Sequence, residues 1–371
     1  MSITDQTRRK VSLASQLHID LPLLSGLLFI SLFGLLIIYS ASGEDNAMLT
    51  RQLTRLSIAF VILFVSAQIP PHWLKIITFW LFIIGLIMLI AVPLVGESHK
   101  GAQRWLNFGV ILVQPSEMMK LIIPMMVAGY LSEQHLPPVP KQQIIAALLI
   151  IVPVLLIAKQ PDLGTSLLIA SSGFFVLFLA GISWRVIGGL LLSAAALLPL
   201  LWFYLMKPYQ KQRVITFLNP ESDPRGSGYH IIQSKIAIGS GGGFGKGWLN
   251  GTQSQLEFLP ERHTDFIFAV LAEEFGLLGV LLLFILYLFI IFRGLYIAIQ
   301  AQESYTRLLA GGITMIFFTY FFVNVGMVSG LLPVVGLPLP LVSYGGTSMV
   351  TLMAAFGILM SIQTHRRLLD Q

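Results

Sequence analysis

Long apolar runs without charge are the feature that most constrains how this chain can fold. Residues 76–95 contain no charged side chain, and residues 267–292 contain only Glu273 and Glu274. A helix needs about 20 mostly apolar residues to cross the hydrocarbon core of a bilayer. Charged residues make up 11% of the 371 residues, against about 25% in an ordinary soluble domain. This balance excludes a soluble globular domain, a nucleic-acid-binding protein and a disordered chain.

The lengths of the apolar runs, and their breaks at Pro, Gly and charge, predict an all-α polytopic membrane protein with about ten spans. We treat residues 1–371 as one integral membrane domain with tails at 1–18 and 365–371 and a long loop at 207–264 between the seventh and eighth spans. The predicted spans are residues 19–41, 52–69, 74–95, 115–132, 142–158, 163–181, 185–206, 266–292, 307–329 and 347–364.

The distribution of basic residues predicts the orientation of these spans. An even number of spans puts both termini on one side, where ten Lys and Arg residues lie, against six in the short loops and helix ends of the other side. Cytoplasmic loops carry the excess of Lys and Arg. The tails are therefore expected in the cytoplasm and the 207–264 loop outside. The chain has no Cys, which excludes disulfides and thiol nucleophiles.

A glycine-rich run is the most unusual part of the long loop. Six glycines fall between Gly239 and Gly247. Because glycine permits positive φ and close backbone approach, such a run can form an anion-binding nest. The alternative is an ordinary flexible loop. The run is not a Walker A motif, since Ser240 and Gly247 stand where that motif needs Gly and Ser or Thr.

Asp265 lies at the boundary between this loop and the eighth span, in the sequence Glu261-Arg262-His263-Thr264-Asp265. One interpretation is structural, since Asp is a preferred N-cap and an acid suits the positive end of a helix dipole. The other is catalytic, because a carboxylate at a membrane rim can accept a proton from a hydroxyl group. The residues alone favour the cap over catalysis.

Other ionisable residues interrupt the apolar spans. Glu117 and Lys120 are three residues apart near the start of the fourth span; such groups at membrane depth are costly and mark functional sites, although a mutually neutralising pair is the structural alternative. Asp162 precedes the sixth span as a helix cap would. Glu273 and Glu274 interrupt the eighth span, so either the helix begins after them or they face a cavity or a partner.

Several short motifs together resemble the SEDS family (shape, elongation, division and sporulation proteins), and its elongation members more than its division members. They extend over almost the whole chain. The matching stretches are Lys100-Gly101-Ala102-Gln103-Arg104-Trp105, Gln114-Pro115-Ser116-Glu117, Gln160-Pro161-Asp162-Leu163-Gly164-Thr165, residues 229–276, Gly336-Leu337-Pro338-Leu339-Pro340 and Ser343-Tyr344-Gly345-Gly346.

The resemblance implies a peptidoglycan glycosyltransferase of the cell-elongation machinery. Such proteins polymerise lipid II, a disaccharide-pentapeptide on undecaprenyl pyrophosphate, and work with a class B penicillin-binding protein that crosslinks the product. The resemblance further implies a ten-helix bundle in the cytoplasmic (inner) membrane, in contact with membrane lipids, with its active cleft facing the periplasm. No organic cofactor and no nucleic-acid partner are expected.

The same resemblance makes Asp265 the catalytic carboxylate, which would accept the proton of the attacking hydroxyl in a single inverting displacement. The leaving pyrophosphate gains negative charge, which Arg and Lys side chains or a divalent cation such as Mg²⁺ or Mn²⁺ can stabilise. The substrate-binding candidates are Glu117, Lys120, Arg51, Arg104, Asp162 and Arg213.

Two alternatives belong to other functional classes. A lipid II flippase would move the lipid without chemistry, and a scaffold of the elongation complex would do neither. A flippase needs polar groups distributed through the depth of the membrane, and the middle of the predicted spans contains few. The loop acids and the position of Asp265 outside the apolar runs favour the enzyme.

The predicted topology can be tested because the chain is free of Cys. We expect a membrane-impermeant thiol reagent to label a Ser222→Cys variant in intact spheroplasts and to leave an Asp5→Cys variant unlabelled, because the charge asymmetry puts residue 222 outside and residue 5 inside. Permeabilised cells serve as the control, since both variants should then react. The opposite labelling pattern in intact spheroplasts would reverse the orientation.

Overall fold

The structure is a computed structural model that describes residues 17–99, 102–109, 112–160, 162–206, 208–223, 226–256, 258–259 and 261–365. Of the predicted tails, residues 1–16 and 366–371 lie outside these ranges. In chain order the helices are α1 (Leu21–Ala41), α2 (Asn46–Ala67), α3 (Pro71–Val95), α4 (Pro115–Ser132), α5 (Pro140–Lys159), α6 (Leu163–Leu179), α7 (Trp184–Leu200, continued by a π-helical turn at Leu201–Leu205), α8 (Pro208–Leu218), α9 (Ser227–Gly241), α10 (Thr252–Gln255), α11 (Ile267–Gln300), α12 (Ser304–Val328) and α13 (Thr347–Thr364).

The predicted helical membrane fold is confirmed. Eight helices in the described ranges are long and apolar enough to cross a membrane, namely α1, α2, α3, α5, α7 with its π-helical turn, α11, α12 and α13. The other two predicted spans coincide with α6, which is 17 residues long, and α4, which contains the charged pair. The described part of the 207–264 segment contains three short α-helices and a 3-10 helical turn at Pro220–Ser222. The number of helices that cross the membrane stays a prediction.

A small antiparallel sheet is an element that the all-α prediction did not include. Strands β1 (Glu97–His99), β2 (Ala102–Asn107) and β3 (Leu112–Val113) form it in the order β1-β2-β3. Glu97 is paired with Trp105, and Leu106 with Val113. The sheet leads directly into α4, so it brings residues of β2 to the N-terminal end of that helix.

The bundle has an aromatic core and an apolar outer surface. Tyr287, Phe317, Tyr320 and Phe356 are fully buried, and the rings of Tyr287 and Phe317 lie 5.3 Å apart. Of the most apolar window in each helix, 67% is buried in α12 and none in α7. Exposed Leu, Ile and Phe side chains are expected where lipid tails, not water, surround the protein.

Close helix contact joins α2 to α13 at Gly357. A Cβ at Gly357 would lie 2.3 Å from the carbonyl oxygen of Leu63, so only glycine allows this approach. Small residues serve the same purpose at other membrane helix interfaces. The contact fixes the spacing of two helices that also line the candidate site.

The long helix α11 contains a kink at Gly276, where φ is 61° and ψ is −158°. Two backbone hydrogen bonds cross this break, from Leu277 N to the carbonyl of Gly242 and from Leu278 N to that of Gly243. The backbone groups released by the kink are therefore satisfied by the glycine-rich run. Neither sequence interpretation of that run, an anion nest or a flexible loop, anticipated this support.

We expect Gly276→Ala to destabilise the protein by about 1–3 kcal/mol, the usual cost of a residue with a side chain in this region of φ/ψ space. The clash adds to the cost, because the new Cβ would lie 2.3 Å from the amide nitrogen of Gly245. Thermal unfolding of the purified protein in detergent measures the effect. Gly188→Ala on α7 is the matched control, since nothing lies within 4 Å of its Cβ position; equal melting temperatures for the two variants would contradict the prediction.

Candidate active site

Asp265 lies half-buried, just before α11. The helix begins at Ile267 with Phe266 as its N-cap and has no side-chain cap. The interpretation of Asp265 as the N-cap of the eighth span is therefore wrong. One face of the carboxylate meets Gly336, where an added Cβ would lie 3.4 Å from Asp265 Oδ2. The absence of a side chain at Gly336 leaves space beside the carboxylate.

The backbone around Asp265 is held by hydrogen bonds from three parts of the bundle. Asn324 Nδ2 of α12 donates to the carbonyl of Asp265 at 3.0 Å and to that of Leu337 at 2.6 Å. Ser343 Oγ donates to the carbonyl of Thr264 at 2.6 Å, and Tyr344 N donates to that of His263 at 2.7 Å. The His263 ring donates from Nδ1 to the carbonyl of Ala41, at the end of α1, at 3.1 Å. These contacts fix the backbone that carries the Asp265 side chain.

His230 is a neighbour of this segment that sequence reasoning did not select. Its ring stacks on Phe266, with 5.7 Å between the centroids. Burial holds the pKa of His230 below its ordinary value, and the nearby charges of Glu261 and Asp223 oppose this shift only in part. The imidazole is therefore neutral near pH 7. Its contact with Phe266, the residue after Asp265, was not visible from the sequence, where His230 and Phe266 are 36 residues apart.

Glu117 and Lys120 form a buried ion pair on α4, as the spacing predicted. Lys120 Nζ lies 2.6 Å from Glu117 Oε1 and donates a second hydrogen bond to the hydroxyl of Tyr320 on α12. Tyr320 is a polar partner in the middle of a predicted span, and only the packing of α4 on α12 identifies it. The second carboxylate oxygen, Glu117 Oε2, is buried without a hydrogen-bond partner in the described part of the chain.

Arg104 and Asp162 meet at the same end of the bundle. Arg104 lies on β2, and its Nη1 is 3.6 Å from Asp162 Oδ2; Nε of the same side chain donates to the carbonyl of Gln160. Gln114, the N-cap of α4, donates to Asp162 Oδ2 at 3.4 Å. The carboxylate also accepts from Thr165 N, so the predicted cap of α6 is confirmed. Asp162 joins the N-termini of α4 and α6.

The structure leaves Arg51 and Arg213 outside this buried arrangement. Arg51 is exposed on α2 and lies 3.9 Å from Asp45. Arg213 is exposed on α8, a helix that packs on α9 and on the turn between them. Arg55, one turn after Arg51, is half-buried and stacks on the ring of Tyr344 at 4.6 Å. Spacing along the chain did not distinguish the two α2 arginines.

A cavity of about 490 Å³ lies between α2, α4, α13 and the sheet. Glu117 and Arg55 are on its wall together with Trp105 of β2. The remaining lining residues are Leu112, Val113, Gln114, Met118, Gly346, Thr347, Val350 and Thr351. The cavity is linked to Asp265 through Tyr344, whose ring contacts Arg55 and whose N–H binds the carbonyl of His263.

The two acids in α11 face the segment that follows the glycine-rich run. Glu273 is completely buried and accepts hydrogen bonds from Lys246 Nζ at 2.7 Å, Thr252 Oγ1 at 3.1 Å and Gln253 N at 2.9 Å. Glu274 accepts one from the hydroxyl of Ser40 on α1. Both acids lie inside α11, which begins at Ile267. The hydrogen bonds of Glu273 hold the loop against the bundle.

The family model described as cell cycle protein (FtsW, RodA and SpoVE) matches residues 20–368. The chain is 55% identical to the peptidoglycan glycosyltransferase MrdB of Escherichia coli K12 over 369 residues, which is 100% of both chains. It is 39% identical over 320 residues to the probable peptidoglycan glycosyltransferase FtsW of Idiomarina loihiensis, covering 85% of this chain and 77% of that protein.

Two solved structures have the same fold. One is from a study of how a peptidoglycan synthase complex coordinates polymerization and crosslinking; the match has a TM-score of 0.81 and 32% identity and covers 93% of this chain and 97% of the other. The second is the crystal structure of the rod shape determining protein RodA of Thermus thermophilus, with a TM-score of 0.71, 27% identity, and coverage of 94% and 97%.

The buried pair on α4 leads to a stability prediction. We expect Lys120→Met to destabilise the protein by roughly 3–5 kcal/mol, because it leaves Glu117 charged and uncompensated. A Glu117→Gln/Lys120→Met double variant should recover most of the loss, since no buried charge then lacks a partner. Unfolding in detergent measures both. Lys75→Met is the control, because its exposed ion pair with Glu133 should contribute at most about 1 kcal/mol; a Lys120→Met protein as stable as this control would contradict the prediction.

Proposed function

The chain belongs to the FtsW, RodA and SpoVE family of cell cycle proteins, and from this premise we propose a function for the site around Asp265. The protein is a peptidoglycan glycosyltransferase, the activity named for a relative that is 55% identical along its whole length. Its substrate is lipid II, which it polymerises into glycan strands. The assignment of the site rests on the half-buried carboxylate of Asp265, which lies next to Gly336, a residue with no side chain.

The reaction is one displacement at a sugar carbon. The 4-hydroxyl oxygen of the acceptor N-acetylglucosamine attacks the anomeric carbon of the donor strand, and the bond from that carbon to the pyrophosphate oxygen breaks. The bonding electron pair leaves with the pyrophosphate, and Asp265 takes the hydroxyl proton. An α-linked pyrophosphate becomes a β-1,4 link, so the carbon is inverted and no covalent enzyme intermediate forms. The fixed backbone of residues 263–265 holds the base in place for this transfer.

Positive charge for the leaving pyrophosphate comes from the same end of the bundle. Lys120 is held beside Glu117, and Arg104 beside Asp162. The positive charge of each cation is partly neutralised by its carboxylate. Each cation therefore attracts an anionic substrate and keeps a partner when no substrate is bound. This arrangement orients the two cations through bonds within the protein.

A divalent cation would fit this site only if phosphates of the substrate completed its set of ligands. Among the described residues no group of three or more His, Asp or Glu side chains is placed to share a metal ion, so they do not form a metal cage of their own. Mg²⁺ commonly takes one or two carboxylates plus substrate phosphates. Glu117, which lines the cavity, is the carboxylate that would help to hold it. The ion would neutralise charge on the leaving pyrophosphate.

The proposed setting is the outer face of the cytoplasmic membrane, with the active cleft towards the periplasm. The apolar helices make the chain a membrane protein, and the distribution of basic residues supports this orientation. A class B penicillin-binding protein is the proposed partner. Its support is the similarity to a chain of a complex that coordinates polymerization and crosslinking.

We expect Asp265→Asn to lose polymerisation of lipid II by about 10²–10⁴-fold, because general-base catalysis typically contributes that much. The substitution keeps the size of the side chain and removes the proton acceptor. Product is measured as glycan strands made in detergent by the purified protein with its transpeptidase partner.

Glu133→Gln is the control, since it removes one exposed carboxylate that pairs with Lys75 at the other end of α4, and it should leave the rate unchanged. Strands from the Asp265→Asn protein at the normal rate would remove Asp265 as the base. No strands from the unaltered protein, which has no membrane to act across in detergent, would favour a flippase or a scaffold.

A further inference from the structure

The imidazole of His230 is a titratable group that the proposed reaction does not use, although it contacts the catalytic segment, residues 261–266. It lies on α9, and its ring stacks on Phe266 with 5.7 Å between the centroids and 19° between the planes. Phe266 is buried and is the N-cap of α11, directly after Asp265 in the chain. The contact with His230 therefore helps to set the position of the residue that connects Asp265 to α11.

Helix α9 is fixed to the bundle, so His230 is a firm support for this ring. Ser234, one turn after His230, donates from Oγ to the carbonyl of Val328 at the end of α12, at 2.8 Å. Ile231 and Ala237 of the same helix are buried, and the helix packs along α11. The position of His230 is therefore set by α11 and α12, and not by the catalytic segment alone.

One ring nitrogen of His230 is suited only to the uncharged form. Nδ1 is buried and has no hydrogen-bond partner in the part of the chain that the structure describes. With the hydrogen on Nε2, the neutral ring leaves only an acceptor unsatisfied at Nδ1. Protonation would place an N–H of a charged ring there without an acceptor, which is costly. The π-face of Phe266 favours a cation and offsets this cost only in part, and burial lowers the pKa of His230.

Two carboxylates act on the ring in the opposite direction. Glu261 of the catalytic segment and Asp223 of the turn before α9 raise the pKa of His230, but less than burial lowers it. The ring therefore takes up a proton only below the ordinary imidazole range, and the contact is lost as the pH falls. The other charged or titratable side chains of α9 and of the elements packed against it, within the described ranges, are Tyr229, Lys235, Lys211, Arg213, Glu221, Arg262, His263, Asp265, Glu273, Glu274, Tyr287, Arg293, Tyr296, Tyr305, Arg307 and Tyr320.

We propose that His230 is a positioning residue for the reaction and makes it sensitive to the pH of the periplasm: the uncharged ring holds Phe266 in place, and protonation of the ring releases it. The charged ring is drawn towards Glu261, whose Oε2 accepts a hydrogen bond from Thr264 Oγ1 at 2.9 Å. The carbonyl of Glu261 also accepts from the backbone N–H groups of Thr264 and Phe266. A displaced Glu261 therefore disturbs the turn that carries Asp265. The inference rests on the proposed role of Asp265 as the base and deepens it.

The test is the pH profile of lipid II polymerisation by the purified full chain with its transpeptidase partner. It extends from about pH 8 to about pH 5, a range that brackets the ordinary imidazole pKa of about 6.5. His230→Phe keeps a ring that can stack on Phe266 but takes up no proton. Below the pKa of His230, the rate of the unaltered protein divided by that of His230→Phe should fall by up to about tenfold per pH unit, because one protonation removes the active form. The same ratio at every pH would overturn the proposal.

His135→Phe is the matched control, because it removes an exposed imidazole in the turn after α4 and should leave the pH profile unchanged. His263 and Asp265 also titrate in the catalytic segment. A loss of activity in acid that persists in full in His230→Phe would therefore belong to one of them and would contradict the assignment to His230. If His230→Phe does not fold, His230→Gln replaces it, since an amide is also uncharged at every pH.

Two further variants separate positioning from a merely structural role. Glu261→Gln removes a charge that raises the pKa of His230, while its amide oxygen can still accept from Thr264; the loss of activity in acid should therefore move to lower pH. A profile that stays in place or moves to higher pH would contradict the proposal. His230→Ala should lower kcat by up to about 10²-fold with KM little changed, the cost of a small misplacement of a reacting group. A lowered melting temperature with normal kcat would show a structural role only.

NMR of the full chain with ¹³C-labelled histidine measures the proton uptake of His230 without any turnover. The ring signal that is missing from His230→Phe identifies the residue, and it should titrate below about 6.5. A signal that titrates at or above that value would overturn the proposal and leave the glycosyltransferase and its Asp265 test standing. Conversely, normal polymerisation by Asp265→Asn would remove the base but would not change this titration, so the two failures are distinguishable.

Discussion

The side-chain amide of Asn324 is the contact on which the site depends. It is completely buried, and its two N–H bonds join α12 to the carbonyl of Asp265 and to that of Leu337. One residue thus ties the start of α11 to the irregular segment that precedes α13. Because a buried amide without acceptors is costly, this arrangement fixes both partners together. The carboxylate of Asp265 and the space beside Gly336 keep their relation to each other for the same reason.

The membrane explains why so many polar contacts gather at one end of the bundle. Within lipid, each buried polar group needs a partner in the protein. The pair of Glu117 with Lys120 and the pair of Arg104 with Asp162 meet this requirement with each other. Glu117 Oε2 is buried without a hydrogen-bond partner in the described part of the chain.

Much of the architecture was predictable because it rests on local sequence. Apolar run length located the ten helices of 17 or more residues in the described ranges, and the i,i+3 spacing of Glu117 and Lys120 predicted their contact. The small sheet and the kink at Gly276 were not foreseen, since both depend on hydrogen bonds between segments. The N-cap interpretation of Asp265 was wrong for a related reason: cap preference describes the aspartate alone, whereas the helix starts two residues later.

The sequence by itself determined the membrane fold, the helix positions and, through its motifs, the family, because run length, charge and motif are properties of the chain in one dimension. Only the tertiary structure decided which cations reach the site. Arg51 and Arg55 are one helical turn apart on α2, yet Arg55 is half-buried against Tyr344, which lies just before α13, and Arg51 is exposed. The partners Tyr320 and Asn324 come from a helix about 200 and 60 residues away from the groups they bind. Such contacts arise from the packing of whole helices, and no local pattern specifies them.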